Sequence, residues 1–121
     1  MTIQISLPWP PSVNRYWRSV PGRVLVSTAG REYRIATAWL CRRAMAGVKP
    51  LGGRLAVRLD AYPPDRRKRD LDNIGKAFLD ALIHGGVYRD DSQIDRLEII
   101  RGEPFPPSGR IDVAIEELAH V

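Results

Sequence analysis

The stretch Arg69-Asp70-Leu71-Asp72-Asn73-Ile74-Gly75-Lys76 places two carboxylates where a helix is predicted to begin. Apolar side chains recur with the helical period from Leu71 to His84, and Gly85-Gly86 closes that helix. The segment before it, Arg54 to Tyr62, alternates apolar and polar residues as a half-buried strand does. A strand followed by an amphipathic helix indicates a domain that mixes helix and sheet.

Three further strands and one further helix complete the predicted fold. The strands run from Thr2 to Leu7, from Asp95 to Arg101 and from Arg110 to Glu117, and the helix runs from Ala29 to about Ala46. The order β-α-β-α-β-β predicts an α/β fold of the α+β type: one small domain over residues 1–121, with a mixed or antiparallel sheet of about four strands and both helices on one face. We expect the last two strands to be antiparallel neighbours, because a turn-rich connection without a helix joins them.

The composition indicates a small basic protein. Its 121 residues are 44% apolar and carry a formal net charge of +5, and most of the cations are arginines. A guanidinium group pairs with two oxygens at once, so phosphate is the partner that this charge favours. No apolar run is long enough to span a membrane, and the single cysteine, Cys41, predicts a buried thiol in a reducing compartment. We therefore expect a cytoplasmic protein that does not enter a membrane.

The segment from Pro10 to Arg18 has neither helical nor strand period. Asn14 and Arg15, set among prolines and aromatic residues, are typical of nucleic-acid contacts, in which a guanidinium holds phosphate while a ring stacks on a base. The rings of Tyr16 and Trp17 have a second interpretation, which is that they fill a small core. The arginine is harder to explain as a core residue.

The next part of the chain predicts a loop or hairpin over Ser19 to Leu25, followed by the first long helix. The predicted core stripe of this helix is Tyr33, Ala36, Leu40 and Ala44, with Trp39 on the side of Cys41. The other face carries Arg31, Arg34, Arg42 and Arg43. We interpret these arginines as a solvated face, and contact with DNA is the alternative.

Four consecutive cations, Arg66, Arg67, Lys68 and Arg69, lead directly into Asp70. Two prolines stiffen the connector ahead of them. A cationic run beside a carboxylate pair is unusual for a plain linker, and it predicts a segment that holds a phosphate backbone against the acids. These four residues, with Asn14 and Arg15, are the predicted DNA contacts.

Asp70 and Asp72 can converge if Asp70 is still extended when the helix begins. Two carboxylates about 4 Å apart repel by roughly 4 kcal/mol at an effective dielectric constant of about 20. A hard divalent cation removes that repulsion, and Mg²⁺ is usually held by one or two carboxylates plus substrate phosphate. Such a cation activates water and neutralises the charge that builds up on a phosphodiester. The pair therefore predicts a Mg²⁺ site for phosphodiester cleavage.

Each of these residues also has a purely structural interpretation. Acids in a first helical turn satisfy free N–H groups and favour the helix dipole. Lys76 lies one turn after Asp72, where it either contacts phosphate or water or forms an ordinary i, i+4 ion pair. Asp90-Asp91-Ser92 has the composition of a turn that enters a strand. The coincidence of all three motifs with the cationic run favours chemistry.

Several stretches of the chain together point to one known family. They are Arg69 to Ala77, Leu79 to Leu82, Gly86-Val87, Asp90 to Ile94, Leu7 to Ser12 and Asn14 to Tyr16. This pattern resembles the RusA family of Holliday junction resolvases, and it covers nearly the whole chain. The resemblance implies a small homodimeric endonuclease of mixed α/β fold that cuts four-way DNA junctions by paired, symmetric nicks with Mg²⁺ or Mn²⁺.

The resemblance also assigns roles to individual residues. It places the catalytic, metal-binding aspartates at Asp70, Asp72 and Asp91, and the functional lysine at Lys76. A homodimer suits the approximate two-fold symmetry of a four-way junction. The helix from Leu71 to His84 is about 21 Å long, and the six or so residues back to Asp91 span about 20 Å only when nearly extended. Asp91 therefore serves either its own site, by an almost straight return, or the partner's site.

The sequence thus predicts a metal-dependent, structure-selective endonuclease that acts on Holliday junctions in recombination and repair. Two alternatives stay open at this point. One is a module that binds junctions without cutting them, in which the acids only cap helices. The other is a nuclease for flaps or other branched DNA.

Overall fold

The computed structural model describes residues 2–118, and within them three helices and six strands. The strands are β1 (Thr2–Leu7), β2 (Trp17–Val20), β3 (Arg23–Val26), β4 (Leu55–Tyr62), β5 (Ile94–Arg101) and β6 (Arg110–Glu117). The helices are α1 (Val13–Tyr16), α2 (Thr28–Met45) and α3 (Leu71–His84), and a 3₁₀ turn covers Asp91–Gln93. The predicted α+β order is confirmed, with α1 and a β2–β3 hairpin added before α2. No helix in this range is long and apolar enough to cross a membrane.

Four strands form one sheet in the order β1-β6-β4-β5. Strand β6 is antiparallel to both of its neighbours, whereas β4 and β5 are parallel. The predicted mixed sheet of four strands is confirmed. The prediction that the last two strands are neighbours is wrong, because β4 lies between β5 and β6. Helix α3 carries the chain back to the start of β4, so β5 pairs parallel with it, and the connection 102–109 then crosses the end of β4 to reach β6.

The core lies between one face of this sheet and the two long helices. Buried side chains from β4 (Leu55, Val57, Leu59, Ala61), α2 (Cys41, Met45) and α3 (Phe78, Leu82) belong to a single cluster. Both helices therefore cover the same face, as predicted. The other face, which we call the open sheet face, carries Arg58 and Asp60 of β4, Arg96 and Glu98 of β5, and Arg110 and Asp112 of β6.

The helical period of α2 is predicted correctly, and three of the four predicted stripe residues lie in the core: Tyr33 is buried, and Leu40 and Ala44 are partly buried against it. The buried residues are Gly30, Tyr33, Thr37, Ala38, Cys41 and Met45, whereas Ala36 is exposed and Trp39 is 66% exposed. At Cys41 a small residue faces inward because α3 approaches closely: a Cβ atom on Gly85 would lie 2.8 Å from Cys41 Cβ. Cys41 is buried as predicted, and burial raises the pKa of its thiol to about 11.

Tyr16 is fully buried, so its ring fills the core and does not stack on a base. Its hydroxyl donates to the Asp80 carboxylate, and Arg34 donates two further hydrogen bonds to the same carboxylate at 2.8 and 3.0 Å. The prediction that Arg34 lies on a solvated helix face is therefore wrong, because its partner comes from a distant part of the chain. The three side chains tie α1, α2 and α3 together.

Candidate active site

Helix α3 begins at the predicted position, and its first two acids keep their carboxylates available. Asp70 is the N-cap residue, with φ −89° and ψ 130°, so the extended conformation that would let the two carboxylates converge is present. Its side chain makes no capping hydrogen bond, and Asp72 lies exposed in the first turn. The Asp70 side chain therefore does not cap α3.

Lys76 lies one turn after Asp72 on an exposed part of α3. Within residues 2–118, its ammonium group has no carboxylate oxygen within 4.0 Å, and Asp72 has no cation within that distance. The ordinary i, i+4 ion pair is thus not formed. Two acids and a cation lie side by side without neutralising one another.

The two acids that precede β5 have different surroundings. Asp90 builds the turn: its N–H donates to Gln93 Oε1 at 3.0 Å, and its carboxylate accepts from the Ser92 hydroxyl at 2.7 Å. The hydrogen bond from Ser92 lowers the pKa of Asp90. Asp91 is exposed and accepts one hydrogen bond, from the Tyr88 hydroxyl at 2.9 Å. The Asp90 carboxylate is therefore bonded within the turn, whereas the Asp91 carboxylate is bonded to the buried Tyr88.

The position of Asp91 along α3 is indicated by a contact made through Tyr88. The Tyr88 hydroxyl, which bonds Asp91, lies 3.3 Å from the carbonyl of Leu79. That carbonyl is seven residues along α3 from Asp72, which is about 10 Å of helix. The chain therefore returns only part of the way along α3 before β5 begins. No group of three His, Cys, Asp or Glu side chains that could hold a metal ion occurs within the described range.

The cationic run is arranged by Asp65, an acid that the sequence analysis did not single out. Its carboxylate accepts from the Arg67 N–H at 2.9 Å and from the Arg69 guanidinium at 2.8 Å. The hydrogen bond from Arg69 lowers the pKa of Asp65. The Arg69 guanidinium also lies over the ring of Trp9, 5.7 Å from its centre. Arg69 is thus held between an acid and an aromatic ring.

The peptide just before Asp70 is fixed by a contact from the edge of the sheet. The guanidinium of Arg101, the last residue of β5, donates to the Arg69 carbonyl at 2.6 Å. The Arg69–Asp70 peptide is therefore held directly ahead of the first acid. Nothing in the local sequence indicates this contact, because it depends on the pairing of β5 with β4. The Asp65 contact, in contrast, has a local signal: an Asp two residues before an N–H that it can accept from is typical of a turn.

Most of the predicted DNA contacts and one acid line a single cleft of about 570 Å³. Its walls include Trp9, Pro10, Pro11, Ser12, Arg15, Arg67, Lys68, Arg69, Asp70 and Asn73. A second cleft of about 500 Å³ lies on the other side of Trp9 and Arg69 and includes Arg66, Asp65 and Arg101. Asn14 is exposed beside Arg15 and does not line either cleft. The N-terminal segment and the cationic run, which are distant in sequence, therefore meet at the start of α3.

The predicted DNA contacts differ in how much of their charge is already paired. Arg66 lies 3.6 Å from Glu103, and Arg67 lies 3.6 Å from Asp65. Arg15 and Lys68 have no carboxylate within 4.0 Å among the residues described. The cations with the most unbalanced charge in the cleft are therefore Arg15 and Lys68.

The chain is similar to known proteins over almost all of its length. A family model described as "Endodeoxyribonuclease RusA" matches residues 8–116. A protein of Escherichia coli K12 named crossover junction endodeoxyribonuclease RusA is 40% identical over 119 residues, which is 98% of each chain. A protein of the same name from Enterobacteria phage HK97 is 41% identical over 118 residues, covering 98% of this chain and 97% of the phage protein. One from Enterobacteria phage 82 is 38% identical over 119 residues, again covering 98% of each chain.

Proposed function

Because this chain belongs to the RusA family of endodeoxyribonucleases, we propose that it resolves Holliday junctions by paired, symmetric nicks in DNA recombination and repair. The observation that carries this proposal is the start of α3, where Asp70 opens onto a cationic cleft with its carboxylate free of any capping bond. Cations that hold a phosphate backbone and acids that act on it are therefore adjacent. The relatives from Escherichia coli and its phages support a cytoplasmic enzyme of a bacterium or a prophage.

Asp70 and Asp72 suit a hard divalent cation, and we assign Mg²⁺ to this pair, with Mn²⁺ as the possible substitute. Both offer carboxylate oxygens, the ligands that Mg²⁺ prefers; within residues 2–118 neither forms an ion pair, and the Asp70 side chain does not cap the helix. When bound, such a cation supplies the Lewis acid that polarises a phosphodiester and makes water more acidic. Asp70 and Asp72 would bind the cation next to the substrate phosphate. Their positions at the start of α3 determine the distance between the two carboxylates.

Lys76 contributes a fixed positive charge to the same surface. It lies one turn along α3 from Asp72, with no carboxylate in reach within residues 2–118. An ammonium group in this position can donate hydrogen bonds to a non-bridging phosphate oxygen. We assign it to the scissile phosphate, where it stabilises the negative charge that increases as the bond is cut.

The position of Asp91 favours a site that two subunits share. Ligands of one Mg²⁺ ion lie about 2 Å from it, and within residues 2–118 of one chain the three aspartates do not form a group that could hold such an ion. We propose a homodimer in which Asp91 of the partner subunit completes the site formed by Asp70 and Asp72. A two-fold axis then makes two identical sites, which suits two nicks on opposing strands.

Mixing two inactive variants tests the shared site. Asp72→Asn and Asp91→Asn are each expected to form inactive homodimers. If Asp91 acts across the dimer, a heterodimer of the two variants has one site with both substitutions and one intact site. Co-expressed variants should then nick one strand of each junction. If Asp91 acts within its own chain, both sites of the heterodimer carry one substitution and no nicking returns, which would refute sharing but not the nuclease activity.

Cleavage of labelled DNA tests the function itself. With Mg²⁺ present, the chain should place symmetric nicks in a four-way junction and leave a linear duplex of the same sequence intact. A flap and a three-way junction serve as further substrates. Equal cutting of flaps would assign the enzyme to branched DNA in general. Junction binding without cutting across Mg²⁺ and Mn²⁺ would make the chain a binding module.

A further inference from the structure

The β2–β3 hairpin stands apart from the main sheet. It pairs only with itself, from Trp17 with Val26 to Val20 with Arg23, and the tight turn at Pro21-Gly22 is allowed by a φ of +81° at the glycine. Arg18 and Arg23 are exposed, and Val24 is 62% exposed. An isolated two-stranded hairpin is marginally stable in water, so its base must be held by the body of the protein.

The base of the hairpin is clamped between α1 and α2. The N–H of Ser27, the N-cap of α2, donates to the Tyr16 carbonyl at 2.9 Å, and the Ser27 hydroxyl lies at the same distance from that oxygen. At Gly30 a Cβ atom would lie 2.5 Å from the Tyr16 carbonyl oxygen and 2.7 Å from Val26 Cγ1, so the chain passes too close for any side chain. The buried Tyr16 ring and its bond to Asp80 fix the same point from the other side. The hairpin is therefore rigid at its base and exposed at its tip.

The charge of this region has one sign. No Asp or Glu occurs before Glu32 in the sequence, whereas Arg15, Arg18 and Arg23 all do. In the part of the chain that the structure describes, none of these three guanidinium groups has a carboxylate within 4.0 Å. Arg15 lines the cleft next to Asp70, and the hairpin follows it directly. The positive surface of the cleft thus continues onto the hairpin.

We propose that the β2–β3 hairpin is a DNA-binding arm that contacts the phosphate backbone of a duplex arm of the branched substrate, outside the cleft. This inference rests on the proposed function, because it assumes that the cleft binds DNA. A strand of four residues extends about 13 Å, which carries Arg23, at the turn of the hairpin, beyond the phosphates that the cleft itself contacts, while Arg18 lies nearer the base on the same face. Contact with a second duplex arm adds affinity for a junction that a single linear duplex cannot obtain.

A second copy of the chain is the other possible occupant, and the charges oppose it. A two-fold contact between hairpins places the same surface on both sides. Arg18 and Arg23 of the two copies would then face one another without an acid to separate them. Phosphate, in contrast, pairs with each guanidinium through two oxygens.

Salt dependence of binding provides the direct test. Arg18→Ala/Arg23→Ala should reduce affinity for a four-way junction roughly tenfold at about 0.1 M salt, and should make the slope of log K against log salt less steep by about 1.8, which is the loss of two phosphate contacts. The matched control is Arg58→Ala/Arg96→Ala, which removes the same charge from the open sheet face. The control should leave the slope unchanged. Affinity for a linear duplex should fall less than affinity for the junction.

Each other outcome overturns the inference. An unchanged slope in the hairpin variant would show that these arginines do not contact phosphate. Equal losses of junction affinity in the hairpin variant and the control would show that affinity depends only on the overall charge of the protein. A hairpin variant that becomes monomeric in sedimentation would assign the hairpin to a subunit contact. Binding is measured without cutting, so a wild-type chain that binds but does not nick would refute the proposed function and still leave the hairpin slope to decide this inference.

Discussion

The open sheet face and the face that carries the cleft use the same kind of residue in opposite ways. On the open sheet face, Arg58 pairs with Asp60 at 3.2 Å, and Arg110 pairs with Asp112 at 3.2 Å. Arg96 and Glu98 on the same face lie 3.5 Å apart. Around the cleft, Arg15, Lys68 and Lys76 have no such partner within residues 2–118. The cations of the open sheet face therefore have acid partners, whereas these three cations do not.

We infer from this difference that the absence of acid partners, rather than the number of cations, indicates where DNA is expected to bind. Exposed ion pairs add little stability, about 0 to 1 kcal/mol each, but they cancel the field that attracts a polyanion. Cations without a carboxylate neighbour release counterions when they meet phosphate, and that release drives binding. The cleft side is thus the side that we expect to face DNA, and four predictions test the contrast.

The largest effect is expected at Lys76. Lys76→Ala should slow junction nicking about 100-fold, because it removes a cation from the phosphate that gains charge, while junction affinity falls only a few-fold. Single-turnover cleavage under saturating protein separates the two quantities. Arg96→Ala on the open sheet face is the control and should cut at the normal rate. Equal nicking rates for the two variants would show that Lys76 does not take part in cleavage.

A smaller effect is expected at Arg101, which acts through the backbone ahead of Asp70. Arg101→Ala removes the donor to the Arg69 carbonyl, so the first acid is held less firmly and nicking should slow about tenfold. Because the acids remain, raising the Mg²⁺ concentration should restore part of the rate. If Arg101 only stabilised the fold, Arg101→Ala would instead lower the thermal midpoint of unfolding and leave the Mg²⁺ dependence of the nicking rate unchanged.

The cleft cations should affect binding more than cutting. Arg15→Ala/Lys68→Ala should weaken junction binding roughly tenfold at about 0.1 M salt and flatten the salt slope by about 1.8. Fluorescence anisotropy across a salt series measures both. A slope identical to that of the wild-type chain would mean that phosphate does not occupy the cleft.

The smallest effect is expected on the open sheet face. Arg58→Ala/Arg96→Ala removes two cations that already have acid partners, so junction affinity should change less than about twofold. Electrophoretic mobility shift with a labelled junction is sufficient to measure this. A loss as large as that of Arg15→Ala/Lys68→Ala would contradict the contrast between the two faces.

The sequence predicted what depends on neighbours along the chain. The helix from Leu71 to His84 follows from local helix signals, and the structure confirms it. The ion pairs of the open sheet face also had a local signal, since Arg and Asp two positions apart in a strand share a face, as Arg58 and Asp60 do. The chemical roles of Asp70, Asp72, Asp91 and Lys76 remain predictions.

The sequence alone did not predict contacts between segments that are distant along the chain. The wrong pairing of β5 with β6 arose because a turn-rich connection indicates direction but not which strand lies next to which. The Arg34 and Asp80 pair and the Arg101 contact both need the finished fold. The predicted stripe of α2 was wrong at Ala36, because the buried side of this helix includes Thr37, Ala38 and Cys41, and α3 approaches closely at Cys41.

Nicking of one labelled four-way junction by three proteins tests the central claim most directly. The wild-type chain, Asp72→Asn and Asp112→Asn are compared with Mg²⁺, beside a linear duplex of matched sequence. The account predicts symmetric nicks by the wild-type chain and by Asp112→Asn, only on the junction, and binding without nicks by Asp72→Asn. Normal nicking by Asp72→Asn, or loss of nicking by Asp112→Asn with its fold intact, would contradict the assignment of the active site to the start of α3.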